Sequence, residues 1–204
     1  MEKNETLQVK PVLADPSGLG LLGLAVVTLV ASSQKLGLTS GASGVMGWAI
    51  FLGGLAQLIA GIIDFKKNNV FGGTAFIAYG LFWMAVQFSS AVTLGIFGEA
   101  AQGAYDPTQN GVGFLGYLIF TVFMTIGALR TNKVLFFIFF FIDLLFLGLS
   151  LSSFGIAAEP MHMLAAVSEL IIALLSFYGA GANVLNHQAG GTVLPLGKAF
   201  SKKA

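Results

Sequence analysis

Residues 134–157 read VLFFIFFFIDLLFLGLSLSSFGIA and hold one charged side chain, Asp143, in an otherwise apolar and weakly polar run. A helix of this length and composition is typical of a membrane span, which needs about 20 apolar residues. The whole chain supports this reading, because 204 residues are 56% hydrophobic and only 9% charged, with a mean hydropathy of +0.86. Soluble domains carry about 25% charged residues. The composition therefore excludes a soluble globular enzyme, a nucleic-acid-binding protein and a disordered chain.

The same reading along the chain predicts an all-α, polytopic membrane protein in which six transmembrane helices surround a narrow pore in each subunit. Polar residues, glycine and proline separate the apolar runs. We expect a segment at 1–17, a transmembrane domain at 18–182 and a tail at 183–204. No secretory signal peptide is predicted at the N-terminus. The predicted spans are 18–36, 44–63, 71–96, 111–129, 134–157 and 161–182.

Basic residues predict the orientation. With six spans both termini lie on one side, and that side holds nine of the ten lysines and arginines, whereas the other side holds Lys35. Cytoplasmic loops are enriched in Lys and Arg. We therefore expect a multi-pass protein of the plasma membrane, in contact with membrane lipids, with both termini in the cytoplasm. The nine residues are Lys3, Lys10, Lys66, Lys67, Arg130, Lys133, Lys198, Lys202 and Lys203.

Small residues indicate closely packed helices. Gly47, Gly54 and Gly61 recur every seven positions on the second span. Such residues let helices approach closely in lipid. This pattern predicts a tight bundle, and it does not by itself locate a transport pathway.

Counting from the span centres at about 1.5 Å per residue places a polar and aromatic layer near the midplane. Leu24, Gln57, Tyr79 and Ile142 fall within roughly 6 Å of that plane. Such a layer suits a narrow permeation site. Hydrogen bonds between helices, made by Gln57 and Tyr79, are the equally weighted alternative.

Two carboxylates lie within predicted spans, where charged groups are costly. Asp143 is surrounded on its own helix face by phenylalanines, and Glu169 lies on a face of small residues. Both are candidates for proton coupling. The alternative, slightly favoured for Asp143, is a neutral carboxylic acid hydrogen-bonded between helices or subunits.

Three stretches identify a family resemblance. DPSGLGL at 15–21 is similar to the signature N-P-A-P-L-G-L, with Asp15, Pro16, Gly20 and Leu21 in the motif and Asp15 in place of asparagine. The strings QLIAG (57–61), KKNNVFGGTAF (66–76) and YGLFW (79–83) form the most specific match, and VLN (184–186) with TVLPLG (192–197) forms the last. The chain resembles the acetate uptake transporters, also called succinate–acetate permeases, which include yeast proteins related to acetate uptake and ammonia export.

The resemblance implies six helices per subunit, a homohexamer, and a pathway in each subunit for acetate and in some members succinate. It also implies a hydrophobic constriction, for which the matching residues are Leu24, Tyr79 and Ile142. The family usually has Phe and Leu where this chain has Leu24 and Ile142. Asp143 and Glu169 receive no role from the family. Asp15 keeps the ability to cap the first helix, but its charge disfavours direct contact with an anion.

The predicted function is a passive or proton-coupled transporter or channel for acetate and other small monocarboxylates. Thr28, Gln57, Tyr79 and Trp83 are predicted to donate hydrogen bonds to the carboxylate. A channel for small neutral solutes such as urea, amides or ammonia is the alternative, followed by a membrane protein without transport. No cofactor is predicted. Without cysteine, and with only His162 and His187, neither an enzyme nor a metal site is predicted.

Overall fold

A computed structural model describes residues 13–201, so Lys3, Lys10, Lys202 and Lys203 lie outside the described residues. Residues 13–201 form helices and no strand. Six of these helices are long and apolar enough to cross a membrane, which confirms the predicted fold class. They are Ser17–Lys35, Ser43–Lys66, Val70–Thr93, Pro107–Ala128, Lys133–Ser153 and Ala158–Ala189, here called the first to sixth spans.

Two spans extend four or more residues beyond the predicted bounds at one end, and a capping residue marks each new end. The fourth starts at Pro107, where the Asp106 side chain accepts a hydrogen bond from the Thr108 backbone N–H at 2.9 Å. Such caps satisfy amides that have no partner within the helix. The sixth continues past residue 182 to Ala189 and ends at Gly190, which has a φ of 64°. Hydropathy alone does not predict this extension, because the residues at its end are polar.

Close packing between helices depends on glycine at specific contacts. The first span packs against the sixth, the sixth against the fifth, the fifth against the fourth, and the second against the third. A Cβ on Gly148 would lie 2.5 Å from the Met161 carbonyl oxygen, and one on Gly61 would lie 2.9 Å from the Gly73 carbonyl oxygen. Of the predicted heptad glycines, Gly54 and Gly61 lie in such contacts, whereas Gly47 meets nothing within 4 Å.

The second span contains a π-helical stretch at Ala49–Ala56, between α-helical ends at Ser43–Trp48 and Gln57–Lys66. π-turns are rare and widen a helix locally. Here the stretch contains Gly53 and Gly54, against which Trp83 and Met84 of the third span pack. The hydrophobic pattern of the span carries no sign of this change in helical pitch.

One end of the bundle, here called the terminal face, carries residues 13–16, the turns at 67–69 and 129–132, and the tail at 190–201. The tail, here called the strap, folds back onto this face. The Leu196 carbonyl accepts a hydrogen bond from the Val134 N–H at 3.1 Å, and the Ser201 N–H donates to the Leu129 carbonyl at 3.0 Å. The Asn186 side chain accepts from the Val193 N–H at 2.7 Å and the Leu194 N–H at 2.9 Å. Lys35 ends the first span at the opposite face.

Candidate functional site

A cavity of about 590 Å³ extends from the terminal face into the bundle. All six spans contribute to its lining, and the deepest lining residues are Leu24 of the first span, Gln57 of the second, Tyr79 of the third and Ile142 of the fifth. All four are at least nine-tenths buried. The structure therefore brings together the three residues predicted to form a constriction, and it places a primary amide beside them.

Gln57 offers a free donor at this depth. Its side chain is 1% exposed, and its amide nitrogen has no hydrogen-bond partner within the described residues. Buried polar groups are paired in the great majority of cases. An unpaired buried amide in a cavity wall is therefore a group that a polar ligand would satisfy.

Tyr79 presents its ring to the site, while its hydroxyl is already engaged. The Thr121 hydroxyl donates to the Tyr117 carbonyl at 2.7 Å and lies 2.9 Å from the Tyr79 oxygen. A hydroxyl has one proton to donate. Since the Thr121 proton goes to Tyr117, the Tyr79 hydroxyl donates to Thr121. Tyr79 therefore contributes an aromatic wall in this structure, and a solute would have to compete with Thr121 for its proton.

Two predicted donors do not line this cavity. The Thr28 hydroxyl donates within its own helix to the Leu24 carbonyl at 2.7 Å. The Trp83 ring packs against Gly53, where an added Cβ would lie 2.8 Å from the ring. Among the four predicted donors, the cavity lining includes Gln57 and Tyr79.

A carboxylate that was not among the predicted site residues lies at the shallower part of the cavity. Asp64 is 1% exposed and lines the cavity, and neither of its oxygens has a hydrogen-bond partner within the described residues. The Asn69 amide lies close enough to interact with Asp64, although no hydrogen bond of good geometry joins them. The signal was present, because Asp64 follows Gln57 by seven residues and so lies on the same helix face.

The two carboxylates predicted as proton-coupling candidates have partners elsewhere. Glu169 forms an ion pair with Lys35 at 2.8 Å, and its side chain is 2% exposed. One oxygen of Asp143 accepts a hydrogen bond from the Thr125 hydroxyl at 2.7 Å, and the other has no partner. Neither residue lines the cavity. Their role in proton coupling stays a prediction.

The signature segment closes one side of the terminal face. Asp15 was expected to be the N-cap of the first helix, but it lies one residue before the N-cap, which is Pro16. Asp15 accepts hydrogen bonds from the Ser17 N–H at 2.9 Å and the Ser17 hydroxyl at 2.7 Å. Partial burial raises the pKa of Asp15, but these bonds and the nearby Lys67 and His187 outweigh it and lower the pKa below its usual value. Pro16 is buried. Gly20 packs against the Phe76 ring, and Leu21 lines the cavity.

Within residues 13–201, no three His, Asp or Glu side chains come together in a way that could hold a metal ion. The site thus consists of an apolar layer, a free amide, and a polar entrance that includes Asp64, Asn69, Arg130 and Asn132. Six apolar helices around such a cavity define a multi-pass membrane protein with an internal cavity that opens at the terminal face.

Comparison with known proteins gives the family. The GPR1/FUN34/yaaH family matches residues 3–198, and the chain belongs to this family. It is 35% identical over 189 residues to the succinate-acetate/proton symporter SatP of Escherichia coli K12, covering 91% of this chain and 96% of SatP. It is 33% identical over 194 residues to ammonia transport outward protein 2 of Saccharomyces cerevisiae, covering 91% of this chain and 67% of that protein. A solved structure of the bacterial acetate channel SatP matches with a TM-score of 0.83 and 34% identity, covering 91% of this chain and all of that one.

Proposed function

We propose that this protein transports acetate and similar small monocarboxylates through the cavity, and that Leu24, Tyr79 and Ile142 form the constriction. The observation that carries the proposal is the unpaired Gln57 amide within an apolar wall. Acetate has a carboxylate that accepts hydrogen bonds and a methyl group that prefers an apolar surface. A pocket with a few polar groups in an apolar lining fits such a solute.

The cavity has a cationic side chain at its entrance and none near the constriction, which suits an anion that must both enter and leave. Arg130 lines the cavity at the terminal face and attracts carboxylates. The deepest lining residues include no lysine or arginine. Binding near the constriction is therefore weak, which favours flux because a tightly held solute leaves slowly.

Labelled acetate uptake into liposomes that contain the purified protein tests the proposal. Wild type should exceed empty liposomes, and Gln57→Leu should reduce the excess at least tenfold because the amide donor is lost. Gln87→Leu is the matched control, since Gln87 is also buried but does not line the cavity. Wild-type uptake equal to that of empty liposomes would disprove the function.

A channel for small neutral solutes is the second candidate. The similarity to a protein named for outward ammonia transport supports it, as does the apolar character of the constriction. Competition separates the two candidates. Propionate and formate should slow acetate uptake through a carboxylate pathway, whereas urea and ammonia should leave it unchanged.

The proposed assembly is a homohexamer in the plasma membrane with the terminal face in the cytoplasm. The family resemblance supports the hexamer. Native mass spectrometry should give six copies of the 21.3 kDa chain.

The natural chain has no cysteine, so cysteines introduced singly at Lys198 and Leu38 test orientation. An impermeant thiol reagent outside cells should label position 38 and leave position 198 unlabelled.

A further inference from the structure

Asp64 is a buried ionisable group in the wall of the cavity. Its carboxylate faces the same cavity as Gln57 and is nine-tenths or more buried, yet neither oxygen has a hydrogen-bond partner within the described residues. The two residues are separated by two helical turns, about 10.5 Å along the helix. Asp64 therefore lies between the terminal face and the constriction.

The charged groups around Asp64 do not neutralise it by contact. Lys67 and Asp15 both act on it electrostatically, but the Lys67 amine makes its ion pair with Asp15, at 3.8 Å. Arg130 and Tyr79 line the same cavity without an ion pair or hydrogen bond to Asp64. An unpaired buried carboxylate is costly unless it holds a proton or coordinates a ligand.

We infer that Asp64 is the proton-exchange site of the pathway, where a carboxylate solute gains or loses its proton next to the apolar constriction. This inference rests on the proposed function, because it requires acetate to enter the cavity. It also assigns a chemical form to the solute, which crosses the layer of Leu24, Tyr79 and Ile142 as the neutral acid. An apolar layer admits a neutral acid far more readily than an anion.

Asp64 exchanges its proton directly with the solute. Acetate entering from the terminal face takes the proton from the Asp64 carboxyl, so one O–H bond breaks on Asp64 and one forms on acetate. Acetic acid then passes Gln57 and the apolar layer and releases its proton on the far side. The Asp64 carboxylate regains a proton from water at the terminal face. In the reverse direction acetic acid gives its proton to the Asp64 carboxylate and leaves as acetate. Each cycle moves one proton with one acetate and carries no net charge.

Voltage distinguishes this mechanism from passage of the bare anion. We would reconstitute the full chain in liposomes, set a potassium diffusion potential with valinomycin, and subtract uptake by empty liposomes. Wild-type acetate uptake should be unchanged between zero and an inside-positive potential. Unprotonated acetate would instead accumulate up to tenfold for about 59 mV, the value for one charge.

Variants assign the effect to Asp64. Asp64→Asn should lower uptake at least tenfold, and the remainder should increase with the inside-positive potential, a response that a merely structural defect would not produce. Asp64→Glu should retain voltage-independent uptake. Glu99→Gln is the matched control, because it makes the same change of a carboxyl to an amide at an exposed position away from the cavity.

Several outcomes would overturn the inference. Voltage-driven wild-type uptake would show that acetate crosses as the anion, and this result needs no variant. Voltage-independent uptake at the wild-type rate in Asp64→Asn would also contradict it. So would a reduced, voltage-dependent uptake in Asp143→Asn or Glu169→Gln but not in Asp64→Asn. In each case acetate is still transported, so the proposed function stands. Absence of wild-type uptake would contradict both proposals.

Discussion

At the scale of single residues, the Tyr79 hydroxyl and the Gln57 amide differ in whether a hydrogen-bond donor remains free for a solute. The Tyr79 hydroxyl donates its proton to Thr121, 2.9 Å away, while the Gln57 nitrogen has no partner within the described residues. Counting residues from the span centres could place both side chains in one layer of the membrane. It could not reveal where each polar atom points, because that depends on Thr121 in the fourth span, 42 residues from Tyr79.

Substitution of Tyr79 by phenylalanine tests this difference. Tyr79→Phe keeps the aromatic wall and removes one hydrogen bond, so the free energy of unfolding should fall by about 0.5–1.5 kcal/mol. Acetate uptake should stay within threefold of wild type. Uptake lost at near-normal stability would instead show that the Tyr79 hydroxyl itself binds the solute.

At the scale of helices, an ion pair joins the first span to the sixth near the face opposite the termini. Lys35→Met should destabilise the protein by about 3–5 kcal/mol, because Glu169 would remain buried without its partner. Lys67→Met is the control, since its pair with Asp15 is longer and more exposed and contributes about 0–1 kcal/mol. Thermal unfolding in detergent measures both. Equal effects would mean that the Lys35 pair contributes no more than a surface contact.

Contact between the fifth and sixth spans depends on Gly148. Gly148→Ala should destabilise the protein by about 1–3 kcal/mol, because the new methyl group would press on the Met161 carbonyl and the Ala165 amide. Gly181→Ala places the same methyl group where nothing lies within 4 Å, and it should be neutral or stabilising by up to about 1 kcal/mol. A destabilised Gly181→Ala with an unaffected Gly148→Ala would contradict this packing.

Helix positions could be predicted more fully than helix partners. Hydropathy gives the six spans because a membrane span needs a long apolar run whatever it packs against. The pair of Lys35 with Glu169 could not be predicted, because it joins residues 134 positions apart. The predicted second span, 44–63, excludes Asp64 because the apolar run ends before this acid and Lys66 and Lys67, although the helix continues to Lys66.

At the scale of the whole molecule, the strap connects the end of the chain to the entrance of the cavity. Leu196 lines the cavity, and the Phe200 ring packs 4.9 Å from that of Phe136, measured between centroids. The sixth helix supports this arrangement by continuing to Ala189, so that Asn186 can hold the strap. Polar composition alone predicted only a tail after residue 182.

Limited proteolysis tests how Asn186 holds the strap. Asn186→Ala removes two hydrogen bonds that it accepts from backbone amides and one that it donates to the Leu194 carbonyl at 2.9 Å. Tryptic cleavage after Lys198 should accelerate at least about fivefold, since local opening becomes easier. Asn183→Ala should cleave at the wild-type rate, because Asn183 donates within its own helix to the Gly179 carbonyl. Equal rates for Asn186→Ala and wild type would show that other contacts hold the strap.

The π-helical stretch at Ala49–Ala56 gives the second span a tolerance to changes in length. Removing one residue from an ordinary α-helix rotates everything beyond it by about 100°. Within the π stretch, the same deletion would tighten the wide turns into α-helix and leave Gln57 and Asp64 facing the cavity. Deletion of Phe51, which is 65% exposed, should therefore preserve acetate uptake, whereas deletion of Leu81, which is 50% exposed in the third span, should abolish it.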